Sequence, residues 1–410
     1  MPLNKIEKVL ANNLNELKVK GPLKGEETVV TTVIEPKRDK GPRYLIEGYG
    51  DKEFLRMNSN SYLGLSMRKE VIEAEEEAVR KFGVGPGAVR FISGTYKPHV
   101  ELEKKLAQFH DKETGMIFSS AYAAVLGTIS PLLSADTIVI SDELNHNSII
   151  NAIKLSRPKD KKIYIHNNMI ELKCRIKECI DNCSRVLIVT DGIFSMRGDR
   201  APLPEIANLA ENFDKEFEEG IITIMDDSHG VGAVAGTGRG TTELTKEKRI
   251  DILIATMGKA LAVNGGYIVS DKTMVDYLKE TAPFYIYSNP ITVSEASAAL
   301  RTLEILDSTT GKKILEYLHE ITAYFRQGLI NLGYETIEGE HPIVPLIVRD
   351  SNKTADLVKY LKDHSILTTG IFYPVVPKGD DEIRFQICAD HTRYDIDYVL
   401  KTLREFCVSH

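Results

Sequence analysis

The chain has 410 residues, 42% hydrophobic and 27% charged, which excludes a disordered, collagen-like or disulfide-rich protein. At about 100–200 residues per domain, that length predicts two or three domains around a large buried core. Lys and Arg number 52 against 59 Asp and Glu, a net charge of −7 without a basic block, so neither nucleic acid nor an anionic membrane surface is an expected partner.

The N-terminal stretch MPLNKIEKVLANNLNELKVKG lacks a basic segment followed by an apolar one. No run approaches the roughly 18 apolar residues of a membrane span, so a cytoplasmic protein is expected. Ile6, Leu10, Leu14 and Leu17 recur at helical spacing, and Gly21-Pro22 ends the helix they predict. Residues 25–56 read as an arm of short β-rich runs. From about Val71 helix and strand alternate. IEAEEEAVRKFG and ELEKKLAQFHD predict helices, and GMIFSS, TIVISD, KIYIHN, RVLIVTDG, IITIMDDS, IDILIATMG and GGYIVSD predict strands. That alternation predicts an α/β fold with a mainly parallel sheet covered on both faces. Cys174, Cys179 and Cys183 fall in this region without a CxxC pair, so no metal site is expected. Residues 273–332 read as mostly helical. After Gly333, PIVPLIVRD, TADLVKYLKDHS, ILTTGIFYP, DEIRFQIC and DIDYVLKTLREF predict a small α+β domain. The expected organisation is an N-terminal arm over 1–56, a large α/β domain over 57–290 and a small C-terminal domain over 291–410.

Ligands of open α/β sheets bind beyond the carboxyl ends of the strands. Asp191 and Ser195 follow VLIVT, Asp226 and His229 follow IITIM, and Thr256 and Lys259 follow ILIA. Any one of them alone suits a cap or a turn. Three polar strand ends with complementary chemistry predict a site. Lys259 follows an apolar strand and precedes ALAVNGG, so it is expected to be desolvated, with a lowered pKa and an amine able to form an imine. Gly230-Val-Gly232-Ala-Val-Ala235 matches a dinucleotide fingerprint, but GTGRG follows and breaks the helix that motif must open. Gly258-Lys259 is no phosphate loop, because Leu253 and Ala260 stand where Gly and Ser or Thr are required.

The segments NHNS, TDGIFSMRGDRAPL, MDDSHGVGAVAGTGRG and TMGKAL resemble the α-oxoamine synthases. These are pyridoxal-phosphate enzymes of the type I aminotransferase fold that condense an amino acid with an acyl-CoA. The likeness runs from NSNSYLGL at 58–65 to ADHT at 389–392. RFISGT, LNHNSIINAIKLSR, YSNP and TGIFYPVVPKG most resemble the 2-amino-3-ketobutyrate CoA ligase (glycine C-acetyltransferase) branch. The 8-amino-7-oxononanoate synthase and serine palmitoyltransferase branches stand as alternatives, with an aminotransferase further off. ALAVNGG has the length found in those two alternative branches.

The resemblance implies pyridoxal 5'-phosphate bound covalently to Lys259, which then serves as acid–base. Asp226 would pair with the pyridinium nitrogen, His229 would hydrogen-bond the phenolic oxygen, and His146 would stack on the ring beside the substrate. Ser195 would face the cofactor. The phosphate would take backbone N–H groups of Ala121 and Tyr122 and the Thr256 hydroxyl. Ser288 and Asn289 would reach the phosphate of a neighbouring subunit, which implies a homodimer. Arg384, helped by Asn60, would grip the amino-acid carboxylate. The implied reaction interconverts glycine and acetyl-CoA with 2-amino-3-oxobutyrate and CoA, a step of threonine degradation, or a decarboxylating equivalent.

Overall fold

A seven-stranded sheet organises the computed structural model, which describes residues 3–20, 27–373 and 375–409. Its strands, in spatial order, are Thr114–Phe118, Gly266–Ser270, Ile252–Thr256, Ile221–Asp226, Arg185–Asp191, Thr137–Asp142 and Asp160–Tyr164. Each of the seven apolar runs read from the sequence supplies one strand. The pairs from Ile252–Thr256 to Asp160–Tyr164 are parallel, and Gly266–Ser270 is antiparallel to both neighbours.

The pleat sends successive side chains to opposite faces. Ile138, Ile140, Val186 and Ile188 therefore join one apolar layer, while Val139, Leu187 and Val189 join the other. Both layers are sealed by helices, which is why these strands read as continuous apolar runs. The site edge is set by the same register: Asp191 stands beside Asp226, and Asp226 beside Ile254.

The helix Leu3–Lys20 forms as its spacing predicts, with Ile6, Leu10, Leu14 and Leu17 exposed. Gly21-Pro22, the predicted helix end, lies outside the described residues. Three antiparallel arm strands, Val30–Ile34, Arg43–Ile46 and Glu53–Arg56, gain a fourth from far along the chain, Ile366–Leu367, parallel to Glu53–Arg56. The run ILTTGIFYP thus divides: Ile366–Leu367 joins the arm, and Thr369–Ile371 joins the small sheet. That second sheet is antiparallel, ordered Glu335–Thr336, Ile343–Ile347, Glu382–Gln386, Thr369–Ile371. The helix Val293–Leu306 packs on Lys69–Phe82 and Lys97–Phe109. Gln386 N–H donates to Met57 O at 2.8 Å and Ala389 N–H to Tyr62 O at 2.7 Å, so the segment after the arm is laced to the small sheet. No helix among the described residues is long and apolar enough to cross a membrane.

Candidate active site

The carboxyl ends of the parallel strands open into a cavity of ≈ 210 Å³. Ala121, Tyr122, His146, Ser195, Asp226, His229, Thr256 and Lys259 all line it, so every residue expected from this part of the chain is brought together. Asp191, Ser228, Ser148 and Ile193 complete the wall.

Lys259 lies two residues beyond Met257, which is fully buried. Burial pulls its ammonium down to about 8, against the Asp226 charge that favours it, with Arg384 adding to the fall. Asp226 is held at the end of its strand by the Ser228 N–H, 3.0 Å from Oδ1. Asp227, beside it, turns the other way and accepts the Thr241 N–H at 2.7 Å; burial raises its carboxyl to about 7. Gly192, Gly230 and Gly240 surround that carboxylate, and a Cβ at Gly230 would stand 2.0 Å from Asp227 Oδ1. Here the first glycine of the rejected fingerprint, Gly230, makes room for a buried side chain.

His229 is buried, and burial and the surrounding cations hold its ring neutral. Tyr62 Oη lies 2.7 Å from its Nδ1. His341 fixes the backbone there: its Nδ1 accepts the Ile343 N–H at 2.9 Å and its Nε2–H donates to His229 O at 2.7 Å. Burial pushes His341 down to about 3, so it stays neutral.

His146 caps the helix Asn147–Ser156, its Nδ1 accepting the Ser148 N–H at 3.2 Å. Asp191 Oδ2 takes the His146 N–H at 3.1 Å. Burial and the nearby Asp226 charge push the Asp191 carboxyl well above the usual range. Its Oδ1 and Ser228 Oγ are buried without a hydrogen-bond partner among the described residues. The N-terminus of the helix Ala121–Leu132 meets the same cavity, capped by Ser120 Oγ on the Ala123 N–H at 3.1 Å. Gly266 lets the neighbouring strand come this close, since a Cβ would sit 2.4 Å from Ala121 N.

Arg384 stands on Glu382–Gln386 between Ile383 and Phe385, both fully buried. Its Nη2 donates to Asn60 Oδ1 at 3.3 Å, and its buried Nε has no partner among the described residues. Tyr62 Oη lies 3.3 Å from the same Asn60 oxygen. Arg384, Asn60, Tyr62 and His229 therefore form a chain from the small sheet to the large one. Ser288 and Asn289 follow the short helix Pro283–Ile286 and do not line the cavity.

Sequence reasoning placed Asp191 among the polar strand ends of the site without a task of its own, and gave no role to Tyr62, Ser228 or His341. Tyr62 had a signal in its place two residues after Asn60, and Asp191 one at a strand end. His341 lies within the irregular stretch GEHP, which offers none. Among the described residues one grouping could suggest a metal, Cys388, Asp390 and His391, with ligand atoms within 4.8 Å. Both His391 nitrogens are spent, on Cys388 N–H at 3.2 Å and Arg56 O at 3.1 Å.

Residues 52–403 match the family described as aminotransferase class I and II. An 8-amino-7-oxononanoate synthase of Thermosipho melanesiensis is 37% identical over 394 residues, 96% of this chain and 96% of its own. Another, of Bacillus pumilus, is 39% identical over 87% of this chain and 88% of its own. A serine palmitoyltransferase from S. paucimobilis, solved with a bound PLP–myriocin aldimine, superposes with a TM-score of 0.84 at 26% identity, over 99% of this chain and 98% of that one. The fold is thus the type I one of pyridoxal-phosphate-dependent aminotransferases. Because the identity extends over nearly the whole of both chains, the protein belongs to the α-oxoamine synthase family of class I and II aminotransferases.

Proposed function

We propose that this protein holds pyridoxal phosphate on Lys259 and joins the α-carbon of a small amino acid to the acyl group of an acyl-CoA, releasing the amino-acid carboxylate as carbon dioxide. The observation that carries this reading is the 37% identity to an 8-amino-7-oxononanoate synthase over 96% of both chains. The length of ALAVNGG agrees with it. The glycine C-acetyltransferase reading, in which the carboxylate is retained, rests on the branch-like segments RFISGT, LNHNSIINAIKLSR, YSNP and TGIFYPVVPKG, and neither relative described above bears that name.

The residues present suit the cofactor. Lys259 offers an amine whose pKa, pulled down to about 8, leaves a usable neutral fraction at physiological pH. Orphaned Asp191 Oδ1 and Ser228 Oγ await polar partners. Ala121 and Tyr122 open a helix of 12 residues, whose N-terminus favours a phosphate, and the Thr256 hydroxyl lines the same end. When bound, pyridoxal phosphate supplies an electron sink for charge left on the α-carbon.

The chain's own groups divide the remaining work. Asp226 keeps a proton on the ring nitrogen. With Nδ1 turned to Tyr62, His229 presents Nε2 to the phenolic oxygen. Ser195 faces the same side, and His146 covers the ring. Arg384 and Asn60 hold the amino-acid carboxylate and so orient the bond to be broken. Lys259, neutral once displaced, takes the α-proton and later returns one. Ser288 and Asn289 reach the phosphate of a second subunit in a homodimer.

Carboxyl-labelled glycine, alanine and serine, each incubated with a series of acyl-CoAs, test the reading. Labelled carbon dioxide released in step with free CoA is the expected result. Label retained in an amino ketone points to the glycine C-acetyltransferase reaction, and turnover that needs an oxo acid instead of a thioester points to an aminotransferase.

A further inference from the structure

His166 lies outside the cofactor cavity, just past the strand Asp160–Tyr164, and no role above uses it. Its ring is wedged between two carboxylates. Nδ1 is 3.0 Å from Asp142 Oδ1, and Nε2 is 3.0 Å from Asp199 Oδ2. Carboxylates only accept, so satisfying both bonds requires a proton on each ring nitrogen. Asn167 Nδ2, 3.2 Å from Nε2, donates to Arg200 O at 3.1 Å. The ring edge also rests on Phe194, with centroids 4.3 Å apart.

The two carboxylates belong to different turns. Asp142 ends its strand four residues before His146, and its Oδ1 also accepts the Leu144 N–H at 2.9 Å. Its Oδ2 accepts the Asn167 N–H at 2.9 Å. Asp199 closes the turn that carries Ser195: Phe194 N–H donates to Asp199 O at 2.9 Å, and Gly198 N–H to Phe194 O at 2.8 Å. We propose that His166 is a positioning residue: as an imidazolium bridging Asp142 and Asp199, it ties the turn leading to His146 to the turn carrying Ser195, and so sets the spacing of two cavity side chains from outside the cavity.

Charge around the ring favours this state. Asp142 comes from one strand end, Glu143 takes the His166 backbone N–H at 2.9 Å, and Asp199 comes from the Ser195 turn. The opposing cation is Arg197, whose Nε is spent on Asp199 Oδ2 at 3.1 Å. Burial works against the charge, but the hydrogen bonds and charges of Asp142 and Asp199 outweigh it and hold the ring up to about 9. A pKa raised on folding means the bridge is complete below the ordinary histidine range and is lost as pH rises through about 9.

Amide hydrogen exchange over residues 193–200 of the cofactor-loaded protein, with steady-state kinetics, tests the proposal. In the wild type, exchange there, corrected for its intrinsic pH dependence, should accelerate about tenfold as pH rises through about 9, and kcat should fall in the same window. His166→Gln and Asp199→Ala should each loosen the turn at neutral pH, abolish the pH step and lower kcat about tenfold, with the amino-acid KM within about twofold because Arg384 and Asn60 lie elsewhere. His166→Arg, a permanent cation, should restore a tight turn without the pH step. Wild-type exchange without a step between about pH 7 and 10, or variants that exchange and turn over like the wild type, would overturn the proposal. If Gln does not fold, Asp199→Ala decides. The inference rests on the cofactor site described above, but the exchange arm needs no substrate, so a wrong substrate and a wrong role for His166 give different results.

Discussion

At Lys259 burial and charge oppose one another, and burial wins: the pKa falls to about 8, where half the amine is neutral, despite the Asp226 carboxylate. Imine formation needs the neutral amine, so capture of pyridoxal phosphate by the cofactor-free protein should quicken between about pH 7 and 9, with a midpoint near 8. Stopped-flow absorbance at the imine band measures this, and a midpoint above about 10, the ordinary lysine value, would mean that the amine is hydrated. Tyr62 has one proton for two acceptors, His229 Nδ1 at 2.7 Å and Asn60 Oδ1 at 3.3 Å. Tyr62→Phe leaves the buried His229 nitrogen without its partner, a cost of about 1–3 kcal/mol. We expect α-proton exchange of glycine to slow by about 10–100-fold while cofactor content stays the same. Arg384→Lys keeps the charge but loses the planar fork, and glycine binding should weaken clearly at unchanged cofactor binding, as read by spectral titration.

Among the elements, the strand Arg185–Asp191 and the turn Arg90–Gly94 carry unlike kinds of stability. Ile188 is 1% exposed at the centre of the sheet, and Ile188→Ala should cost about 2–5 kcal/mol in denaturant unfolding. Arg90 and Glu103 form a buried bidentate pair, both bonds 3.0 Å, and Glu103 Oε1 also accepts the Ile117 N–H at 3.2 Å. Glu103→Gln leaves the guanidinium uncompensated, so a loss of about 3–5 kcal/mol is expected, with much of it returned in the double variant Arg90→Met, Glu103→Leu. The difference marks what the sequence could reveal. Val186 to Val189 announce a covered strand by composition, and the strand-end residues Asp226 and Lys259 announce a site by position. Glu103 sits in ELEKKLAQFHD as one charge among several on a helix, and nothing local shows that it turns inward to an arginine 13 residues earlier. Likewise ILTTGIFYP reads as one β run; that it serves two sheets depends on pairing with Leu55 and Arg384, more than a strand's length away in sequence.

For the whole molecule, the phosphate roles proposed for Ser288 and Asn289 predict sites shared between two subunits. Mixing a Lys259→Ala protein with a Ser288→Ala, Asn289→Ala protein should create heterodimers with one intact site, restoring up to about a quarter of wild-type activity from two weak parents. No recovery after subunit exchange, verified by differently tagged chains, would place each site within one chain. A mechanical property follows from the lacing of residues 55–62 to the small sheet. Gln386 N–H donates to Met57 O at 2.8 Å and Ala389 N–H to Tyr62 O at 2.7 Å. Asn60 and Arg384 are therefore carried on one lever, although 324 residues separate them in sequence. A hinge motion of that lever would move both jaws of the proposed carboxylate clamp together, keeping their grip constant while changing their distance from Lys259. The contact that feels such a swing is Tyr62 on His229, so the seam between lever and base runs through the hydrogen bond that orients His229, the proposed partner of the cofactor's phenolic oxygen.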